Sequence, residues 1–331
     1  MSPTVIKACE IVSRMRAEER ATIWRKHKDA HDDGDIELYP GMMFTLAKER
    51  MENTRLWRIA KRMPKGGLLH CHMTAMVDLD YVLNTTLDTP GMCFYAGEPL
   101  TSKNALKTAS VLFQYSKSAP KVNAASIWSS EYTTNTLIPA RLAADSFPDG
   151  GRAGFVAWLK DRMSIIEKES IEHHLGVDEV WRKLNSAFII IASILYYEPI
   201  LRPFLRRLFE AIVDDGVQWV ELREVFAVPY RRENADECDK DFNNMVRAIE
   251  EEIESFKATE KGKNFWGARI IWTSVRAQGA EWILQSKLPY QPGPLRTLNL
   301  TIQRYAPLHH RKESLPTYDR RIRSRGPGGR G

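Results

Sequence analysis

The sequence has little of several features that would assign it to a class at once. Only four of its 331 residues are cysteine, and none forms a C-x-x-C pair, so no cysteine zinc site or thioredoxin-type motif is indicated. Scattered cysteines fit a reducing compartment. The longest apolar run, Ala187–Leu195, is about half the length that crosses a bilayer. The charged first twenty residues leave no room for the apolar core of a secretory signal, and we expect a cytoplasmic protein without a membrane span.

The positive charge is concentrated in one segment. Residues 277–331 carry ten Lys and Arg against three Asp and Glu, whereas residues 1–276 hold 38 against 39. The nearly neutral main part therefore indicates neither a nucleic-acid nor a membrane partner. The segment 277–331 lacks a sustained apolar period and ends in Pro, Gly and Arg, which predicts a basic, disordered tail.

Helical periodicity dominates much of the chain before that segment. The N-terminal region, residues 1–62, predicts two helices, the second from Met42 to Arg62. Further helices are predicted at Val177–Leu195 and at Ile200–Val213, with Pro203 in the first turn of the latter. Residues 74–151 have no clean period and predict helical pieces and long connections. Within them, Ile127–Tyr132 is a candidate short strand.

A strand–helix–strand pattern gives the clearest indication of the fold class. Val217–Val228 and Gly267–Val275 predict strands, and Asp241–Ala258 between them predicts an amphipathic helix. This is a βαβ unit, which implies parallel strands and a right-handed crossover. If Leu68–Met73 forms the preceding strand, the chain has an α/β fold with a long helical insertion at about residues 74–215.

The candidate site is the sequence His70-Cys71-His72 in that first strand. Side chains two residues apart on a strand point to the same side, so both imidazoles could bind one zinc ion, which needs further ligands. Cys71 would face the opposite side and pack. H-x-H alone is a weak signal, and buried structural histidines remain an alternative. The preceding Pro-Lys-Gly-Gly turn and the later βαβ unit favour the carboxyl end of a barrel strand, where catalytic residues lie.

Three segments in series then resemble a known family. Met63–Asp78 closely resembles the first-strand signature of the adenosine-deaminase-related growth factors, the secreted-type branch of the adenosine deaminases. Trp181–Glu224 is similar to the two helices and the second strand of that branch, and Gly267–Arg276 to its third strand. Among the members of this branch, the resemblance is to the fungal type. The resemblance implies a (β/α)₈ TIM-type barrel with N-terminal helices and a helical insertion after the first strand, with residues 63–276 as its partial barrel.

The resemblance also implies an activity and a site. The family hydrolyses adenosine or 2′-deoxyadenosine to the inosine product and ammonia, using one zinc ion that activates a water. His70 and His72 would be two zinc ligands, and Trp181 would help to line the purine site. The N-terminal helices and the insertion would form a homodimer, and an extracellular location is the family's alternative to the cytoplasm.

Departures from the family pattern limit what can be expected. Met73 and Thr74 stand where the family has an aspartate that contacts the ribose, and Val275 stands where some members have a histidine. No H-A-G-E or S-S-D-D segment, which would bring the other zinc ligands and the catalytic glutamate, occurs in the sequence. We therefore expect a barrel truncated after its third strand, an inactive chain as written, and a tail that arises from a frame shift or a retained intron.

Several alternatives stay open. The chain could be a non-catalytic dimerisation or binding protein, or a different metal-dependent amidohydrolase that uses the same H-x-H pair. Trp181 could belong to the core instead of a site. Glu221 and Arg223, two apart on the second strand, could face the barrel interior or form a structural ion pair.

Overall fold

The computed structural model describes residues 1–24, 39, 41–42, 44–118, 125–165 and 176–273, with the backbone alone at 176 and 177. The predicted tail and Val275 lie outside the described residues. The helices are α1 Pro3–Thr22, α2 Phe44–Glu52, α3 Arg55–Arg62, α4 Leu79–Asp88, α5 Lys103–Thr108, α6 Ala140–Asp145, α7 Gly151–Met163, α8 Gly176–Leu195, α9 Glu198–Asp214 and α10 Asn243–Lys257. The strands are β1 Gly66–His72, β2 Met92–Ala96, β3 Val111–Tyr115, β4 Ile138–Pro139, β5 Val217–Glu224 and β6 Gly267–Trp272.

The prediction of a single helix from Met42 to Arg62 is wrong, because the helix is interrupted between α2 and α3. Thr54 caps α3 by accepting a hydrogen bond from the Trp57 amide at 3.0 Å. The buried carboxylate of Glu19, on α1, accepts two further amides of that turn, from Arg55 at 2.7 Å and Leu56 at 3.1 Å. Because the backbone amides of this first turn all have hydrogen-bond acceptors, a new helix begins at Arg55.

The predicted βαβ unit is confirmed. Strands β1, β5 and β6 form a parallel sheet in the order β1-β5-β6, and α10 connects β5 to β6. The strand β5 ends at Glu224, four residues before the predicted end. The sheet is compatible with part of an α/β barrel.

The two faces of this sheet differ. Val220 and Leu222 of β5 and Ile270 of β6 are buried, on the side where α9 packs against β5 and α10 against β6. The alternate residues of β5, Trp219, Glu221 and Arg223, point to the opposite face, where they are only partly buried. We call this opposite side the open face.

The insertion holds a second sheet that the sequence analysis missed. Strands β2, β3 and β4 form an antiparallel sheet in the order β3-β2-β4. Its core is an aromatic cluster in which Phe94 contacts Phe113 and Phe155 with ring centroids about 5 Å apart. The prediction of a strand at Ile127–Tyr132 is wrong, since these residues form turns.

Helix α9 begins two residues before the predicted start. Glu198 and Pro199 are its first two residues, so that Pro203 lies inside the helix and not at its beginning. No helix in the described parts of the chain is long and apolar enough to cross a membrane.

Candidate metal centre

The histidine pair lies at the carboxyl end of β1. Between Leu68 and Cys71 the strand advances three residues while its partner β5 advances two, from Val220 to Leu222. This one-residue excess is a β-bulge, a feature that bends a strand and re-aims its side chains. His70 and His72 are both exposed, and Cys71 between them is buried.

The two imidazoles lie close together on the open face. Their ring centroids are 5.8 Å apart and their planes are tilted by 55°. Cys71 points the other way, and its thiol donates to the Glu221 carbonyl at 3.3 Å. The orientation expected from strand alternation is therefore present, with both histidines directed to one side and the cysteine packed on the other.

The surroundings of His72 favour its neutral form. Partial burial lowers its pKa below the usual histidine value, and the nearby His70 and Arg223 lower it further. Neutral imidazole is the form that binds a metal ion. Arg223 stands opposite His72 in the register of β1 and β5, and its Nη2 donates a long hydrogen bond of 3.4 Å to the Leu69 carbonyl.

Further charged residues continue across the open face. Glu221 stands opposite Arg269 in the register of β5 and β6, and the Arg269 guanidinium lies over the Trp219 ring at 5.6 Å. Glu221 and Arg223 share this face, as the sequence predicts. The hydrogen bond described for the Arg223 side chain goes to the Leu69 carbonyl and not to Glu221.

Helix α8 forms a wall beside the histidine pair. The ring of Phe188 meets the imidazole of His72 edge-on, with centroids 6.1 Å apart. Trp181 and Leu184 precede Phe188 by seven and four residues, so the three side chains follow one side of the helix. Trp181 is 57% exposed, which argues against a core role. Phe188 was not identified from the sequence, although its spacing from Trp181 was an available signal.

A second feature missed from the sequence lies at the end of β5. Glu224 is buried, and one oxygen of its carboxylate accepts a hydrogen bond from the Tyr196 hydroxyl at the end of α8. Burial raises the pKa of Glu224 to about 7. This pair joins the strand that carries Arg223 to the helix that carries Phe188.

The donors present fit zinc, but they form an incomplete set. Neutral imidazole nitrogens are common zinc ligands, and a zinc site needs at least three protein ligands. Within the described ranges, no group of three or more His, Cys, Asp or Glu residues could hold a metal ion. Met73, which stands where the family aspartate is expected, is fully buried. The pairs His173-His174 and His309-His310 lie outside the described residues.

The two exposed imidazoles lie at the carboxyl end of the first strand of a parallel sheet, which is the end where α/β barrels place their catalytic residues. Comparisons with known proteins indicate a class of hydrolases. No family model matches the chain. The chain is 27% identical over 228 residues to "Adenosine deaminase" of Lutzomyia longipalpis. The matched region covers 69% of this chain and 40% of that protein.

Relatives in vertebrates give a similar result. The chain is 26% identical over 252 residues to "Adenosine deaminase 2" of Sus scrofa, and 21% identical over 251 residues to the human protein of that name. Each match covers 75% of this chain and 44% of the relative. The resemblance to adenosine deaminases, which are hydrolases, is confirmed. The chain spans less than half of the length of the curated relatives it matches.

Proposed function

We propose that this chain supplies the first part of a zinc-dependent adenosine deaminase, with His70 and His72 as two ligands of one zinc ion. The observation that carries the proposal is the exposed imidazole pair, 5.8 Å apart, on β1 of a chain whose relatives are named adenosine deaminase. The reaction is the hydrolysis of adenosine or 2′-deoxyadenosine to the corresponding inosine and ammonia. Zinc, when bound, supplies a Lewis acid that lowers the pKa of water.

The chain's own residues would provide metal binding and one wall for the substrate. His70 and His72 present their nitrogens on the open face of the sheet. Trp181 and Phe188 provide apolar ring surface beside them, which suits stacking against a purine base. Of these two rings, Phe188 also contacts His72 edge-on.

The described residues do not complete the reaction centre. Two imidazoles occupy half of a tetrahedral zinc shell, and no described His, Cys, Asp or Glu completes a group of three with them. We therefore expect that the described residues by themselves do not deaminate adenosine. The further zinc ligands, the general base and the general acid would come from outside the described residues.

A chimera tests this proposal. The matching segment of the Lutzomyia longipalpis protein is replaced by residues 66–273 of this chain, and inosine and ammonia are measured after zinc loading. The chimera should deaminate adenosine, and its His70→Asn/His72→Asn variant should not. Circular dichroism and gel filtration establish folding. A folded chimera with bound zinc and no inosine would contradict the proposal.

A second candidate is a non-catalytic dimerisation or binding role. It is favoured by α1, a helix of 20 residues that exposes Val5, Ile6 and Val12 and buries only Glu19 within its length. Replacement of these three residues by Ser should convert a dimer to a monomer in light scattering. If the unmodified protein is already a monomer, dimerisation through α1 is excluded.

A further inference from the structure

We propose that Arg223 is a positioning residue that holds the bulge of β1 and thereby aims His70 and His72 at one metal ion. The inference rests on the proposed metal-binding function of the pair and adds a residue to it. Its basis is the path of the Arg223 side chain. The backbone of Arg223 stands opposite His72, yet its guanidinium reaches back to the carbonyl of Leu69.

The bulge explains why β1 needs such support. The extra residue lies between Leu68 and Cys71, so His70 is part of the irregular segment whereas His72 lies just after it. A bulge disrupts the regular ladder of backbone hydrogen bonds. Leu69 and His70 are consecutive yet both exposed, which breaks the alternation of the strand. The direction of the His70 ring relative to His72 therefore depends on how the bulge is held.

Arg223 is suited to hold it. The guanidinium is planar and carries several donors in a fixed arrangement. One of them bonds the Leu69 carbonyl at 3.4 Å, and the side chain is near enough to lower the pKa of His72. A single side chain on β5 thus contacts the bulge and lies beside the histidine that follows it.

A role through charge and a role in positioning predict opposite changes in metal affinity when the Arg223 side chain is removed. A guanidinium beside two imidazoles repels a metal cation, so its removal should tighten metal binding if charge were its whole effect. If Arg223 instead aims the two rings, its removal should weaken binding. Loss of a group that orients metal ligands typically costs about 10–100-fold in metal affinity.

Arg269 offers a matched control. It lies on the same open face, one strand further from the histidines, opposite Glu221. Its guanidinium lies over Trp219 and makes no described contact with β1. Arg269→Met removes the same charge and a similar volume without touching the bulge.

The test uses the 331-residue protein with Cu²⁺ as the probe, followed by calorimetry and by electron paramagnetic resonance, which reports the nitrogen ligands. The His70→Asn/His72→Asn variant gives the background from the other six histidines of the chain. The unmodified protein should show a site with two nitrogens above that background. Arg223→Met should weaken it by about 10–100-fold and lose one nitrogen coupling, whereas Arg269→Met should leave it unchanged.

Arg223→Lys, which keeps a donor and the charge, should restore part of the affinity. Binding by Arg223→Met that is equal or tighter, with both nitrogens kept, would overturn the inference. If the unmodified protein binds no better than the double histidine variant, the proposed metal function itself fails. Circular dichroism verifies folding, and Arg223→Gln replaces Arg223→Met if the latter does not fold.

Discussion

The ring of Phe188 meets the imidazole of His72 edge-on, with centroids 6.1 Å apart. This contact joins helix α8 to the end of β1, although the two residues are far apart in sequence. Helix α8 also packs against the short turn Met73–Ala75 that follows His72. The helix that carries Trp181 is thereby fixed beside the histidine pair, so that the two imidazoles and an aromatic wall adjoin.

Substitution of Trp181 by Ala should affect substrate binding more than stability. In the chimera, KM for adenosine should rise on the order of tenfold, since stacking of a base on an aromatic ring contributes about 1–3 kcal/mol. The free energy of unfolding should change by less than about 0.5 kcal/mol, because the side chain is exposed. Trp266→Ala is the control, since Trp266 is similarly exposed and precedes β6 at the other end of the sheet. A large loss of stability with an unchanged KM would indicate a structural role for Trp181.

Reaction of the cysteines with a thiol reagent should report the orientation of β1. Cys9 is exposed, whereas Cys71 and Cys93 are buried, and burial raises the pKa of each buried thiol to about 11. Since the thiolate is the reactive form, Cys9 should react first, and the two buried thiols should react only on unfolding. Mass spectrometry of the labelled peptides measures the order. Equal rates for Cys71 and Cys9 would mean that β1 does not direct its histidines to the open face.

Burial of Glu224 should make stability depend on pH. Its pKa in the folded protein, about 7, lies above the ordinary value of 4.5, so the folded state holds a proton that the unfolded chain releases. Below pH 4.5, burial of Glu224 does not reduce the free energy of unfolding. The reduction grows as the pH rises towards 7 and then levels at about 3 kcal/mol, since each pKa unit corresponds to about 1.4 kcal/mol.

Glu224→Gln should abolish this pH dependence while retaining an acceptor for Tyr196. Urea unfolding at about pH 5 and at about pH 8 measures it, and the free energy of the unmodified protein relative to the variant should fall by about 2–3 kcal/mol. Tyr196→Phe provides a second comparison. It removes one of the two hydrogen bonds that lower the pKa of Glu224, the other being from the Val225 backbone, so the decline should extend to higher pH. An identical pH profile for the unmodified protein and Glu224→Gln would show that Glu224 is not held protonated.

The features predicted correctly are those that depend on local periodicity. The unit β5-α10-β6 and the shared side of His70 and His72 follow from spacing along single elements. The sheet β3-β2-β4 was missed because its strands are short and β2 is almost wholly buried, so it has no alternation that separates it from a helix. The break at Thr54 was missed, although a capping residue was present as a signal.

The contacts between elements around the histidine pair could not be predicted from the sequence, because they join residues that are far apart along the chain. Arg223 and Leu69 are separated by 154 residues, and their meeting depends on the register of β1 against β5. The bulge that shifts this register leaves no mark in the residue pattern that periodicity can detect. Phe188 likewise reaches His72 through the packing of α8.

The most direct test of the metal assignment follows the imidazole nitrogens of all eight histidines by NMR while Zn²⁺ is added to the 331-residue protein. Our account predicts that the ring nitrogens of His70 and His72 shift together and saturate at one zinc per chain, and that His70→Asn weakens the response of His72. Zinc that moves neither ring, or that moves only other histidines such as His173 and His174, would contradict it.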